Sequence, residues 1–220
     1  MVEPTYVRRF SRTERALHWI HAAAFLLLLG SGLVLYLPSL AAAVGRRPLV
    51  KAAHVDTAIV WVLALVAVIV VGDRRALRTT LRELELFDAE DRRFLLGRRS
   101  RAGRFNAGQK LNAALTAAFA LLFAVSGALL WLGERDSRYR LASTVLLHDG
   151  LMYVSLALLV GHLYLAVVHP VTRHSLRGMT LGSVRSDWAR SHHPRWAELQ
   201  REAAEAGEPR RQPYELSGRE

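Results

Sequence analysis

Histidine is the residue through which this chain can do chemistry. Nine are present, and His18, His54, His148 and His162 stand inside or at the margin of long apolar runs, where an ionisable ring is costly unless it has a task. The run "LLHDGLMYVSLALLVGHLYLAVVH" carries His148, His162 and His169. His148 and His162 are 14 positions apart; at about 100° per residue they return to within roughly 40° of one helix face and stand about 21 Å apart along its axis. One ring therefore lies near each side of a hydrocarbon layer about 30 Å thick. At matching depths on other runs stand His54, level with His148, and His18, level with His162. Two inter-helix imidazole pairs follow, the arrangement of two six-coordinate b-type haems with each iron held by two rings. A single intramembrane histidine more often bonds to a neighbouring helix; two depth-matched pairs are hard to explain that way. His21, three residues from His18 and about 60° round the helix, competes with it on spacing alone. His169 lies at the boundary beside Pro170 and leaves the ligand set on depth.

Other residue types narrow the chemistry. Cysteine is absent, which excludes disulfides, thiolate zinc sites, iron–sulfur clusters and covalently attached haem. No H-E-x-x-H pair and no His/carboxylate cluster at ligand spacing supports a metal-dependent hydrolase. Gly30, Gly32, Gly127, Gly150 and Gly161 give room for a flat porphyrin or, equally, for ordinary close helix packing. Arg12, Arg15, Arg46, Arg47 and Lys51 stand where haem propionates would emerge, and serve as well as interfacial anchors.

The elements that must position these rings are membrane helices. A hydrophobic content of 51% beside a formal charge of +11 is reconciled by segregation: apolar runs alternate with arginine-rich stretches, the pattern of a polytopic membrane protein. A nucleic-acid binder would interleave basic and aromatic residues on one exposed face, and no such face is present. Four spans are predicted, at about 16–37, 52–71, 111–132 and 146–168, each near the roughly 20 residues a bilayer demands. The fold class expected is all-α, an integral membrane four-helix bundle, with one membrane domain over 1–196 and a polar, partly disordered tail over 197–220. No internal repeat or Gly/Ser-rich linker is evident. The N-terminal, central and C-terminal polar segments hold 24 Lys and Arg against 6 in the two opposite loops, so both termini are expected to be cytoplasmic. The stretch "SLRGMTLGSVRSDWARSHHPRWAELQ" is open to three readings: a membrane-surface segment, a docking site for a cytoplasmic neighbour, or a solvated tail anchored by interfacial tryptophans.

"RFSRTERALHWIHAAAFLLLLGSGLVL", "GRFNAGQKLNAAL", "LLHDGLMYVSLALLVGHLYLAVVHP" and "LRGMTLGSVRSDWARSHHPRW" resemble, in order and spacing, the di-haem cytochrome b, or gamma, subunit of respiratory formate dehydrogenases over about residues 7–196. The resemblance implies His54 and His148 on a haem nearer the outer side and His18 and His162 on one nearer the cytoplasm, the same pairs that depth gives. It further implies quinone reduction at the cytoplasmic side, with Asn106, Gly108 and Gln109 lining the site and His162 close by. On spacing alone, Asn106 followed by Gln109 reads as a helix-capping box; the resemblance allows both roles. The expected cofactors are two b haems, with quinone as electron acceptor. The expected partners are an iron–sulfur subunit, a molybdenum- or tungsten-containing catalytic subunit, and the lipid of a bacterial inner membrane. This chain itself would carry electrons and oxidise no formate. A closer rival is the related cytochrome b subunit of a nickel–iron hydrogenase; a rival of another class is a proton relay or transporter whose histidines titrate.

Overall fold

The computed structural model describes residues 6–207. In chain order it contains β1 (Tyr6–Arg8), α1 (Arg12–Tyr36), α2 (Pro38–Val44), α3 (Arg47–Val71), α4 (Arg74–Glu85), α5 (Ala89–Leu95), α6 (Ala107–Gly133) and α7 (Ala142–Leu163), followed by α8 (Leu176–Leu181), β2 (Ser183–Arg185), α9 (Ser186–His192) and α10 (Pro194–Glu205). A π-helical turn, Tyr164–Val168, continues α7, and His169 N donates to Tyr164 O at 2.8 Å across it.

The four long helices α1, α3, α6 and α7, the last with its π turn, are long and apolar enough to cross a membrane. Each begins about four or five residues before the predicted apolar stretch, and at α1 and α6 the added polar turn is held by a side-chain cap. Ser11 and Glu14 form a capping box for α1: Ser11 N donates to Glu14 Oε2 at 2.6 Å and Glu14 N to Ser11 Oγ at 3.2 Å. Asn106 and Gln109 do the same for α6, with Asn106 N donating to Gln109 Oε1 at 3.1 Å and Gln109 N to Asn106 Oδ1 at 2.9 Å. Such boxes satisfy two of the backbone donors a helix start leaves open. α1 stops at Tyr36, just before Pro38, which opens the short α2, where a missing N–H is harmless.

The chain divides into two compact units. The membrane unit comprises residues 15–72 and 119–163. It is a helical bundle whose large apolar side chains face outward: Leu27, Val60, Leu63, Leu121 and Val160 are all more than half exposed. Only Ala24, Trp61, Leu151 and Met152 among its apolar residues are buried. In water this would be an inverted protein; in lipid it is the expected one, since hydrocarbon is as apolar as leucine.

The polar unit comprises residues 6–14, 73–118 and 164–207. β1 and β2 pair antiparallel in the register Tyr6↔Arg185, Val7↔Val184, Arg8↔Ser183. Its core gathers Val184, Trp188, Ala189 and Trp196. Arg104 lies inside, 3% exposed, donating to Glu83 Oε2 at 2.6 Å, Glu14 Oε1 at 2.9 Å and Thr80 Oγ1 at 2.5 Å. Lys110 is buried against Asp91 Oδ2 and Leu86 O, both at 2.6 Å. Trp188 and Trp196, which one of the three readings of this stretch set at a membrane interface, are buried in this unit, and α10 runs through the expected domain boundary after residue 196.

Candidate functional site

On α7 the buried positions Thr144, Leu151, Met152 and Ser155 lie seven, eight and eleven residues apart from the first, so they form one stripe. His148 lies on that stripe, and His162, seven beyond Ser155, extends it. Facing His148 is His54 of α3, with ring centroids 6.5 Å apart. Facing His162 is His18 of α1, at 6.3 Å. His21 points elsewhere: it lies 5.6 Å from the Trp61 ring and stacks on Phe25 at 6.0 Å. In the polar unit, His169 Nδ1 accepts from Thr172 N at 3.3 Å and sits 3.1 Å from its hydroxyl, which occupies it locally.

Two serines, which composition and spacing did not single out, brace one of the pairs. Ser31 Oγ of α1 lies 2.8 Å from His54 Nδ1, and Ser126 Oγ of α6 lies 2.8 Å from His148 Nδ1. Beside each stands a glycine at which a Cβ would come to 3.5 Å from a ring carbon: Gly32 against His54 Cε1, Gly127 against His148 Cε1. Gly30, Gly150 and Gly161 face nothing within 4 Å, so only two of the five candidate glycines border a histidine. The helix pairs α1–α3 and α6–α7 therefore repeat one device, a Ser-Gly step on the first helix and a histidine on the second. No repeat was expected from the sequence; the signal available was "SG" at 31–32 and 126–127, each followed by histidine a little over 20 residues later.

The donor set fits a haem. Among the described residues no group of three or more His, Cys, Asp or Glu is placed to hold a metal ion, so each pair offers two ligands, the number a porphyrin iron requires. Two imidazoles bound end-on through metal–nitrogen bonds of about 2 Å place their ring centres roughly 6 Å apart, the spacing of both pairs. Within the same unit Trp61 is buried with no partner for its Nε1. Of the basic residues considered for propionates, Lys51 pairs with Glu134, and Arg47 Nη2 donates to Leu35 O at 3.3 Å.

Asn106, Gly108 and Gln109 belong to the polar unit. Gln109 Oε1 accepts from Asn106 N and from Arg9 Nη2, the latter at 3.3 Å. Arg9 also donates to Arg104 O at 2.7 Å and to His193 Nε2 at 3.0 Å. His193 Nδ1 donates to Gly103 O at 2.8 Å. Burial, and then repulsion by Arg104, lowers the Arg9 guanidinium to about 9 against a raising pull from Glu83, which leaves it charged at neutral pH. Burial, and then the Arg9 charge, holds His193 well below its usual 6.5, so it is neutral. Burial raises Glu83 above 4.5 although Arg104 pulls the other way, and Glu83 Oε1 has no partner.

Comparison with known proteins gives concordant results. The family described as prokaryotic cytochrome b561 matches residues 9–182. The formate dehydrogenase cytochrome b556(fdo) subunit of Escherichia coli K12 is 28% identical over 196 residues, covering 86% of this chain and 90% of the relative. The nitrate-inducible formate dehydrogenase cytochrome b556(Fdn) subunit of the same strain is 23% identical over 195 residues, with coverages of 83% and 86%. The formate dehydrogenase cytochrome b556 subunit of Haemophilus influenzae is 24% identical over 206 residues, with coverages of 87% and 82%. A bundle of four apolar helices with opposed histidines and a family match over most of its length make this chain a membrane electron-transfer protein of the haem b class, a member of the prokaryotic cytochrome b561 family.

Proposed function

We propose that this chain is the membrane electron-transfer subunit of a respiratory formate dehydrogenase complex in a bacterial inner membrane, with both termini cytoplasmic. The observation that carries the reading is the two histidine pairs, at 6.5 and 6.3 Å, set about 21 Å apart along α7. In this reading His54 and His148 hold one b haem toward the outer side, and His18 and His162 hold a second toward the cytoplasm. A b haem supplies one-electron carriage; the chain supplies two fixed stations for it at two depths. An iron–sulfur partner delivers electrons at the outer side from a molybdenum- or tungsten-containing subunit that oxidises formate.

Quinone is assigned to Asn106, Gly108 and Gln109. Because Gln109 Oε1 is committed to the α6 cap and to Arg9, its Nε2 hydrogens are the donors it can offer a quinone carbonyl. Gly108 is exposed and leaves its backbone approachable. Protons taken from the cytoplasm for the quinol, with formate oxidised outside, would make the reaction build membrane potential.

The test is a reduced-minus-oxidised spectrum and a haem-to-protein ratio for the subunit purified with its native partners. Two b haems per chain, falling to one in His162→Ala and in His54→Ala, are expected. Absence of dithionite-reducible b bands would overturn the reading, and co-purification of a hydrogenase would assign the subunit to a different complex.

A further inference from the structure

The two histidine pairs differ in one respect that neither the ligand assignment nor the family explains. His54 and His148 each have their Nδ1 against a serine hydroxyl, whereas neither His18 nor His162 has a side-chain hydrogen bond among the described residues. The serine geometry decides where the hydrogens are. Ser31 Oγ is 2.7 Å from Leu27 O and 3.2 Å from Leu28 O; Ser126 Oγ is 2.7 Å from Leu122 O and 3.3 Å from Phe123 O. A backbone carbonyl can only accept, so each hydroxyl hydrogen is committed to its own helix. The hydroxyl oxygen that remains can then only accept from the ring, and Nδ1 must carry the hydrogen. Nε2 is left with its lone pair, the form of imidazole that ligates a metal.

We infer that Ser31 and Ser126 are positioning residues that lock His54 and His148 in the ligating tautomer and lower the potential of the haem they hold relative to the haem of His18 and His162. The inference rests on the haem reading above. A hydrogen bond from Nδ1–H raises the basicity of the ligating nitrogen, and a more basic ligand favours ferric over ferrous iron. The unbraced pair lacks that bias. Two haems with identical ligand types thus acquire a built-in gradient, and it runs from the braced pair to the unbraced one, the direction in which electrons must travel to reach quinone in the reading above. The device is applied twice at one haem, from two different helices, so each serine acts on its own ring.

Potentiometric titration of the native complex tests this. Wild type should show two b components. Ser31→Ala and Ser126→Ala should each raise the lower-potential component and leave the higher one unmoved, the double variant shifting it by about the sum because the two bonds are on separate rings. Ser31→Thr, which keeps a hydroxyl able to bond to the preceding turn, should restore the wild-type value. If an alanine variant sheds the low-potential haem but Ser31→Thr retains it, the brace is equally supported; affinity losses of about 10- to 100-fold accompany such second contacts. Unmoved potentials, equal shifts of both components, a shift confined to the higher one, or haem loss also in Ser31→Thr would overturn the inference while leaving the two-haem reading intact. A wild type without b haem would instead remove the reading itself.

Discussion

The two units of this chain treat buried polar groups in opposite ways. In the polar unit the buried charges are engaged from several directions: Arg104 is held by Glu83, Glu14 and Thr80, and Lys110 by Asp91 and Leu86 O. In the membrane unit each braced histidine has its Nδ1 against a serine hydroxyl and faces a second imidazole about 6.5 Å across. The buried ions of the polar unit hold one another and the surrounding backbone, with Glu83 Oε1 left over, and are part of the scaffold. In the proposed reading the serine-braced rings are instead ligands of a haem, each oriented by its own second contact. The difference separates the two units more sharply than residue type does, since both contain histidine: His193 is buried in the polar unit, and His54 and His148 are half-buried in the membrane unit.

The comparison is broken most severely by removing a charge from the closed network. Arg104→Ala strands Glu14 and Glu83 without their shared cation, and about 3–5 kcal/mol of stability should be lost. Hydrogen exchange in detergent should report this first over the segments around residues 9, 83 and 193. The loss should be largely absent in a Glu14→Gln, Glu83→Gln, Arg104→Met triple variant, because replacing a whole buried ion cluster costs far less than breaking it.

A smaller effect follows from His193. Its folded pKa is depressed well below 6.5 by burial and by Arg9, so the unfolded chain binds a proton that the folded one refuses. Stability of the polar unit should therefore be flat above about pH 6.5 and fall below it, by up to about 1.4 kcal/mol per pH unit. His193→Gln should flatten that slope; an unchanged slope would show that another group carries it.

The smallest effect on folding, and the most informative about function, is expected from Gln109→Glu. Glutamate at the third helical position keeps the capping box and still accepts from Arg9, so stability should change by less than about 1 kcal/mol. It lacks the Nε2 hydrogens. Quinol formation should fall while reduction of both haems by the partner continues, and unchanged quinol formation would reduce Gln109 to a cap.

What could be read from the sequence follows the same division. The spans and histidine pairs were legible because their information is local or periodic: apolar runs announce helices, and a 14-residue interval on one helix fixes two rings on one face. The polar unit was not legible, because its order depends on partners far apart in the chain. Arg9 meets His193, and Arg104 meets Glu14, and nothing near any of these residues names its partner. Read alone, "RTTLRELELFDAEDRRFLLGRRSR" is a basic connecting segment, yet Thr79, Glu83, Asp91 and Arg104 in and beside it are buried. Ser31 and Ser126 escaped for a different reason. A serine in a membrane helix that bonds back to its own carbonyl is common, and only the neighbouring ring gives it meaning.

The pairing of Val7 with Val184 bears on how the chain is made. Strand β1 leaves the ribosome before any span is complete, and its partner emerges after all four. At roughly 5–20 residues per second, the first strand waits on the order of ten to thirty seconds for the second. During that interval Arg9 has neither His193 nor the Gly182 carbonyl that later receives its backbone N–H. Closing this two-stranded ribbon is therefore among the last events of biogenesis, and a chain interrupted before residue 183 would hold all four spans and their histidines without it.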